Sequence, residues 1–215
     1  LLVSISLLLF VSNQQRIDAV EVTRGYGEPA KSNLFRKAKS YIPIQPLVDA
    51  IPPHGVLLLQ AGDYAGPLQI NKPITINGLD EQSKLFIADE ESIVVVQSDD
   101  VLLSNLTIVD ERKLPQAAAI SAEGVTNTEL QQLIIQTKAT AIEFINVQQS
   151  QLFNNQVIWS GEAYAKRTER GNGIYVYDSH ELVIEGNDIT AMYDGVYVEN
   201  SVAIKLSGNS VTDSR

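Results

Sequence analysis

Short runs of alternating apolar and polar residues, separated by polar turns, recur through the second half of the chain. The clearest run, Gly173–Val176, returns 22 positions later as Gly195–Val198, and Asn187 returns at the same interval as Asn209. A fixed period of this length, built from short β-rich runs, is typical of a solenoid in which each repeat is one coil. The pattern therefore predicts an all-β fold, a single-stranded right-handed parallel β-helix with coils of about 22 residues.

The same 22-residue repeat can be followed toward the N-terminus, with one interruption. Asn155 follows Ala141 by 14 positions, as Asn187 follows Gly173, but Asn155 and Asn187 are 32 positions apart. About ten residues, roughly Ser160 to Glu169, are therefore predicted to form an inserted loop. Inserts in solenoids leave the stack from one face, which is often the binding face.

Equivalent residues of successive coils are expected to lie about 4.8 Å apart, one strand spacing. The apolar residues of the repeat then form inward files, among them Ile142, Ile174 and Val196. The recurring asparagines predict a hydrogen-bonded ladder at a bend, where asparagine tolerates the left-handed backbone conformation. The ladder residues are Asn155, Asn187 and Asn209.

The alternate residues of the same strands are predicted to face outward in two files. One file is Glu143, Tyr175 and Tyr197, and the next is Ile145, Tyr177 and Glu199. Outward tyrosines can stack on sugar rings or receive a protein partner. Tyrosine also favours half-buried strand surface for packing reasons alone. The inserted loop favours a functional interpretation, because it leaves the stack beside these tyrosines.

The sequence predicts that the chain is divided into three segments. Residues 1–19 are interpreted as the remainder of a signal peptide, with a membrane anchor as the alternative, because the apolar run Leu1–Val11 is too short for the roughly 20 residues of a membrane span. Residues 20–55 form an N-terminal segment in which Ile44–Ile51 is expected to be a short amphipathic helix that caps the core. Residues 56–215 form the β-helix, and further coils are expected after Arg215.

Composition narrows the classes of partner. The formal net charge of −10 argues against nucleic acid and against binding to anionic lipid. The chain has no cysteine, which suits an exported protein whose core is long and regular. Soft-metal ligands are scarce, and His180 and Met192 are the weak metal candidates. The aspartates near the predicted corners are interpreted as turn formers.

Two passages together resemble the NosD family, the exported β-helix component of the nitrous oxide reductase maturation system. The first runs from Leu47 to Ile76 and includes Gly-Asp-Tyr-Ala-Gly-Pro-Leu and Asn-Lys-Pro-Ile-Thr-Ile. The second is Arg-Gly-Asn-Gly-Ile-Tyr at Arg170–Tyr175, followed by Asp-Gly-Val-Tyr-Val at Asp194–Val198. The family commonly has Arg before that Asp-Gly step, whereas Tyr193 occupies this position here.

The resemblance implies an extracytoplasmic accessory protein that helps to supply copper or sulfur for the copper centre of the reductase. It implies as partners an ABC transporter ATPase and permease, nitrous oxide reductase and a copper chaperone, with membrane association through these partners. We accordingly expect no enzymatic activity; a carbohydrate-active lyase or epimerase and a glycan-binding surface protein are the alternatives. The residues predicted to form the binding surface are Arg170, Asn172, Tyr175, Tyr177, Tyr193, Asp194 and Tyr197.

Overall fold

The computed structural model describes Leu9–Phe10, Arg16–Ile17 and residues 41–87, 94–113, 117–162 and 164–215. The predicted leader, residues 1–19, lies outside the described residues except for those two short strands, and so do residues 20–40.

Three sheets, parallel throughout the coils, build the fold. The first has the spatial order β2 (Arg16–Ile17), β1 (Leu9–Phe10), β4 (Gly55–Leu59), β7 (Ile74–Gly78), β10 (Val101–Ser104), β13 (Thr128–Gln131), β16 (Gln151–Phe153), β19 (Val183–Glu185) and β22 (Lys205–Ser207). The second has the order β3 (Ile42–Pro43), β5 (Gly62–Ala65), β8 (Ser83–Ile87), β11 (Thr107–Asp110), β14 (Ile134–Thr137), β17 (Gln156–Trp159), β20 (Asp188–Thr190) and β23 (Ser210–Thr212). The third has the order β6 (Leu68–Ile70), β9 (Val94–Val96), β12 (Ile120–Glu123), β15 (Ile142–Ile145), β18 (Ile174–Tyr177) and β21 (Val196–Glu199). Only β1 pairs antiparallel among these described strands, with β2 and with β4.

Each coil visits the three sheets in turn, which confirms the predicted parallel β-helix. Ile142 pairs with Ile174, and Ile174 pairs with Val196, on adjacent parallel strands. The predicted period of 22 residues holds only in part. Stacked residues are 22 positions apart from Asn187 to Asn209, but 32 from Asn155 to Asn187 and 27 from Asp100 to Asn127.

The core follows from the alternation of residues along each strand. Inward residues such as Ile142, Phe144 and Ile174 are fully buried, and each contributes about 1.5–3 kcal/mol through burial. Files of apolar side chains from successive coils therefore form one continuous core along the stack.

The predicted N-terminal cap is confirmed. Helix α1 (Gln45–Asp49) begins with a proline in its first turn, where the missing N–H is not needed. Ile44, Val48 and Ile51 are buried and belong to the same core as the coils. The helix thus covers the first apolar layer. None of the described helices has the length and apolar content that crossing a membrane requires.

The connections between sheets differ in length. The connection from the first sheet to the second, which we call the ladder turn, has two residues at 60–61, 105–106, 132–133, 154–155, 186–187 and 208–209, and four at 79–82. The connection from the second sheet to the third, which we call the loop corner, has two residues at 66–67, four at 138–141, five at 191–195, nine at 111–119 and fourteen at 160–173. The predicted insert therefore lies in the loop corner.

The asparagine ladder is confirmed, with one correction. The side-chain amide of Asn155 donates to Asn187 Oδ1 (2.9 Å), and that of Asn187 donates to Asn209 Oδ1 (2.9 Å). The left-handed conformation, however, belongs to the preceding residues, Asn154 (φ 51°) and Gly186 (φ 68°). Because the ladder amide must point inward to reach its partners, the residue before it makes the sharp bend.

Candidate functional site

The outer face of the third sheet carries the tyrosines that the sequence analysis predicted to face outward. Parallel pairing stacks Glu143, Tyr175 and Tyr197 in one file, and Ile145, Tyr177 and Glu199 in the next. Both predicted files are thus confirmed as neighbours in space. We call this surface the tyrosine face; its outward residues are Ser121, Glu123, Glu143, Ile145, Tyr175, Tyr177, Tyr197 and Glu199.

Tyr175 and Tyr197 form a parallel pair of rings. Their centroids are 5.6 Å apart and their planes differ by 4°. This is an offset-stacked arrangement, which is favourable for aromatic pairs. Because each ring covers one surface of the other, the edges of both rings and the two outer surfaces of the pair are what a ligand or partner can contact.

Acidic side chains surround the tyrosine pair and change its electrostatics. The Tyr197 hydroxyl donates to Glu199 Oε2 (3.1 Å), and this hydrogen bond, with the charge of Glu199, raises the pKa of Tyr197. Desolvation first, then the charges of Glu199 and Glu143, raise the pKa of Tyr175. Both raised pKa values extend the pH range over which the two phenols keep their protons.

Glu143 is the unusual carboxylate of the tyrosine face. Burial, and then the negative charge of Glu123, raise the pKa of Glu143. Its outward neighbour on the next coil is Tyr175. A carboxyl group with a raised pKa beside an aromatic ring has the chemistry of a proton donor or of a strong hydrogen-bond partner for hydroxyl groups.

Arg170 ties the inserted loop to the stack. Its Nη1 donates to the carbonyl of Ala191 (2.8 Å) and its Nη2 donates to the carbonyl of Ala165 (3.2 Å). Its Cζ also lies 5.8 Å from the centroid of the Trp159 ring, within reach of a cation–π interaction. Arg170 therefore fixes the position of the loop beside the tyrosine face, and its direct contact with a partner stays a prediction.

Asn172, Tyr193 and Asp194 lie together in the loop corner at the edge of the tyrosine face. The Asp194 amide donates to Asn172 Oδ1 (3.3 Å), which joins two successive coils. Asp194 is buried and accepts hydrogen bonds from Arg215 Nε (2.8 Å) and Nη2 (3.2 Å). The Arg215 guanidinium also lies over the Tyr193 ring, with Cζ 4.8 Å from the centroid.

Sequence reasoning missed the part that Arg215 plays. The hydrogen bonds and charge of Asp194 raise the pKa of Arg215. The available signal was the spacing, because Arg215 follows Asp194 by 21 positions, close to one coil. Among the residues predicted to form the binding surface, Asp194 already pairs with Arg215 of the same chain, whereas the side chain of Tyr177 is exposed to solvent.

Gly173 and Gly195 explain why the two similar passages contain glycine at equivalent positions. The Gly173 amide donates to the Asp194 carbonyl (2.8 Å), which brings the two coils close together. A Cβ atom on Gly173 would lie 2.5 Å from the Gly195 carbonyl oxygen. The close approach of the backbones leaves no room for a side chain there.

The two weak metal candidates do not converge. His180 lies in the turn after β18, where it bridges Gln148 and Val202. Met192 is fully buried in the loop corner, before the third-sheet strand of the next coil. A third-sheet strand, on the order of 10 Å long, separates the two positions. In the part of the chain that the structure describes, there is no group of three or more His, Cys, Asp or Glu side chains that could hold a metal ion.

The coiled parallel sheets and the aromatic outer face define a β-helix protein. Residues 86–215 match the family model described as "Right handed beta helix region", and the chain belongs to that family. No curated protein matches this chain.

Two solved structures share the fold at low sequence identity. ORF18 of Geobacillus virus E2 matches with a TM-score of 0.58 and 12% identity, over 80% of this chain and 38% of that one. A candidate glycosyl hydrolase from Parabacteroides merdae ATCC 43184 matches with a TM-score of 0.53 and 13% identity, over 78% of this chain and 86% of that one. The chain thus spans under two fifths of the length of the viral protein.

Proposed function

We propose that this protein is an exported accessory factor for the maturation of nitrous oxide reductase, as its resemblance to the NosD family implies. The observation that carries the proposal is the stacking of the two segments that make up the second NosD-like passage. Arg170–Tyr175 and Asp194–Val198 lie one above the other, joined by the hydrogen bonds of Gly173 and Asp194. The most distinctive residues of the resemblance thereby form one continuous surface with the tyrosine face.

The physical character of this surface supports docking of a protein. Tyrosine and arginine are the residues that most often dominate the binding energy of protein interfaces. Here Tyr175 and Tyr197 are held by mutual stacking, and Arg170 anchors a loop that carries the exposed Tyr164. A face held rigid before binding loses little conformational entropy when a partner docks.

The protein acts through these contacts rather than through catalysis. The tyrosine face receives the apo-reductase or a copper chaperone, while an ABC transporter ATPase and permease work at the membrane. Copper reaches the reductase through these partners. This role places the protein outside the cytoplasmic membrane.

Deletion of the gene in its host tests the proposal. The expected result is reductase protein that accumulates without its catalytic copper centre. Complementation with the Tyr175→Ala/Tyr197→Ala variant should restore little of the centre, whereas Gln151→Ala, on the outer face of the first sheet, should restore it. A host without nitrous oxide reductase, or complete assembly in the deletion strain, would overturn the proposal.

A second candidate function is action on, or binding of, a polysaccharide at the same face. The observation that favours it is Glu143, whose pKa is raised by burial and which neighbours Tyr175 on the adjacent strand. Purified protein would be incubated with pectate, alginate and uncharged polysaccharides. Chain cleavage or epimerisation that is lost in Glu143→Gln would identify an enzyme. Binding without turnover, lost in Tyr175→Ala, would identify a glycan-binding protein.

A further inference from the structure

A polar groove runs along the ladder turn, away from the tyrosine face. It has a volume of about 590 Å³, within the range of ligand-binding clefts. Side chains from several successive coils line it, including Asn105, Gln132, Asn154 and Gln156. The proposed function does not involve this groove.

The end wall of the groove exists because one ladder turn is longer than the others. The turn at 79–82 has four residues, where the following coils have two. Thr107 Oγ1 donates to the Glu81 carbonyl (2.9 Å), and the Gln82 amide donates to Asp80 Oδ1 (2.8 Å). These hydrogen bonds hold the wall in place, so the groove is formed before any ligand arrives.

The amides that line the groove differ from those of the ladder beside it. Asn155 is buried and its side chain is fully engaged by Leu130, Leu133 and Asn187. The adjacent Asn154 is exposed. Among the described residues, the side-chain amides of Gln132, Asn154 and Gln156 make no hydrogen bond to protein, although all three line the cavity.

The spacing and polarity of these amides fit a chain of sugar rings. Each amide offers donors and an acceptor on one planar group, which suits neighbouring hydroxyls. The coils repeat at about 4.8 Å, so the groove from β11 to β17 offers polar groups over about 10 Å. The half-buried Ile134 adds an apolar patch for the C–H surface of a pyranose.

Two further observations select the class of ligand. Among the described residues, those that line the groove include Asp80 and Glu81 but no lysine or arginine, which disfavours an anionic polymer. Strands β11, β14 and β17 each have neighbours on both sides, so a peptide cannot bind by adding a strand. We propose that the groove at the ladder turn binds an uncharged oligosaccharide of two or three rings, aligned with the axis of the β-helix.

The test uses the full chain and a panel of uncharged malto-, cello-, xylo-, manno- and N-acetylchito-oligosaccharides, with oligogalacturonate as the acidic comparison, measured by calorimetric titration. Gln132 and Asn154 have positive φ values of 54° and 51°, so Gln132→Gly/Asn154→Gly removes both amides without backbone strain. Gln149→Gly is the matched control, because Gln149 has φ 47° at a different turn. Gln156→Ala, in an ordinary strand, tests the groove again if the double variant folds poorly.

The expected result is saturable binding of an uncharged oligosaccharide. The double variant should weaken this binding about tenfold or more, and Gln156→Ala about fivefold, while Gln149→Gly stays within about twofold of the original protein. The proposal is overturned if no uncharged ligand saturates or if oligogalacturonate binds as tightly. It is also overturned if the groove variants bind normally, or if Tyr175→Ala/Tyr197→Ala abolishes binding instead. Failure of this proposal would leave the one for reductase maturation intact.

Discussion

Both the ladder turn and the loop corner change the direction of the chain between two sheets, but they differ in how regularly their residues repeat. At the ladder turn an asparagine recurs in three successive coils: Asn155 donates to Asn187, and Asn187 donates to Asn209. At the loop corner the number of residues differs from coil to coil, although Gly173 and Gly195 occupy the same last position in two of them. Repeated hydrogen bonds therefore stabilise the ladder turn, whereas the loop corner contains most of the variation in chain length.

The loop corner is stabilised instead by local clusters of polar side chains. One of these is the pair of Asp110 and Arg112, whose side chains are fully buried. Arg112 Nε and Nη2 each donate to the Asp110 carboxylate at 2.8 Å, and Thr137 Oγ1 donates to it at 2.6 Å. Burial acts to raise the pKa of Asp110, but these hydrogen bonds and the charge of Arg112 outweigh burial and lower it.

The largest effect is expected from breaking this cluster. Asp110→Ala would leave the guanidinium of Arg112 buried without its carboxylate, and the free energy of unfolding should fall by about 3–5 kcal/mol. Urea unfolding followed by circular dichroism measures this loss. Asp188→Ala, at an exposed position of strand β20, is the control and should change stability by less than about 1 kcal/mol. Equal effects of the two variants would contradict a special role for the buried pair.

The next largest effect should come from the ladder. Asn187→Ala would remove the acceptor used by Asn155 and the donor used by the Leu152 carbonyl, at a cost of about 2–3 kcal/mol. Asn154→Gly, which removes an exposed amide from the same type of turn, should cost less than about 0.5 kcal/mol. If the two variants had comparable urea midpoints, the buried, hydrogen-bonded ladder asparagine would contribute no more to stability than the exposed one, and the prediction would be wrong.

A smaller effect is expected where the backbones approach in the loop corner. In Gly173→Ala the new Cβ would press on the Gly195 carbonyl and on Ile189, so we expect a loss of about 1–3 kcal/mol. At Gly62 the nearest atoms to an added Cβ are 3.8 Å away, in the Tyr64 ring. Gly62→Ala should therefore unfold at nearly the same urea concentration as the original protein, and a similar loss in both variants would contradict the steric argument.

The smallest effect concerns the tyrosine face. Because burial raises the pKa of Glu143, its stabilising contribution is complete below the ordinary value of 4.5 and is lost as pH rises through the raised value in the folded protein. Glu143→Gln should therefore raise stability at pH 7 by a few tenths of a kcal/mol, since solvent screens part of the effect. The difference should disappear at pH 3.5. Urea titrations at both pH values measure it, with Glu129→Gln on the first sheet as control; a gain at pH 3.5 alone would contradict the sign.

Much of the stack was predictable because its signals are local and repeated. The pairing of Ile174 with Val196 and of Tyr175 with Tyr197 follows from a 22-residue period and from alternation along a strand. The ladder followed from the recurrence of asparagine at one position. The period failed for some of the earlier coils, because their connections differ in length: paired residues are 19 positions apart from Val56 to Thr75 and 27 from Asp100 to Asn127.

Contacts between dissimilar residues of different coils were not predictable. The pairing of Arg215 with Asp194 and the insertion of Arg170 between Ala165 and Ala191 depend on the path of the loop corner. The left-handed bend was expected at the ladder asparagine itself, but it lies one residue earlier, at Asn154 and its equivalents. A sequence shows which residues favour a bend, whereas the inward direction of the ladder amide decides which one makes it.

The amino-acid sequence by itself determined the winding of the chain, the composition of the core files and the outward position of the tyrosines. These features need only a period and an alternation, which are properties of the chain read in order. The tertiary structure alone decided which polar groups are engaged and which remain available. That outcome depends on whether a neighbouring coil presents a partner within hydrogen-bonding distance. In the described structure the side-chain amide of Asn155 has such a partner, and the side-chain amide of Asn154 does not.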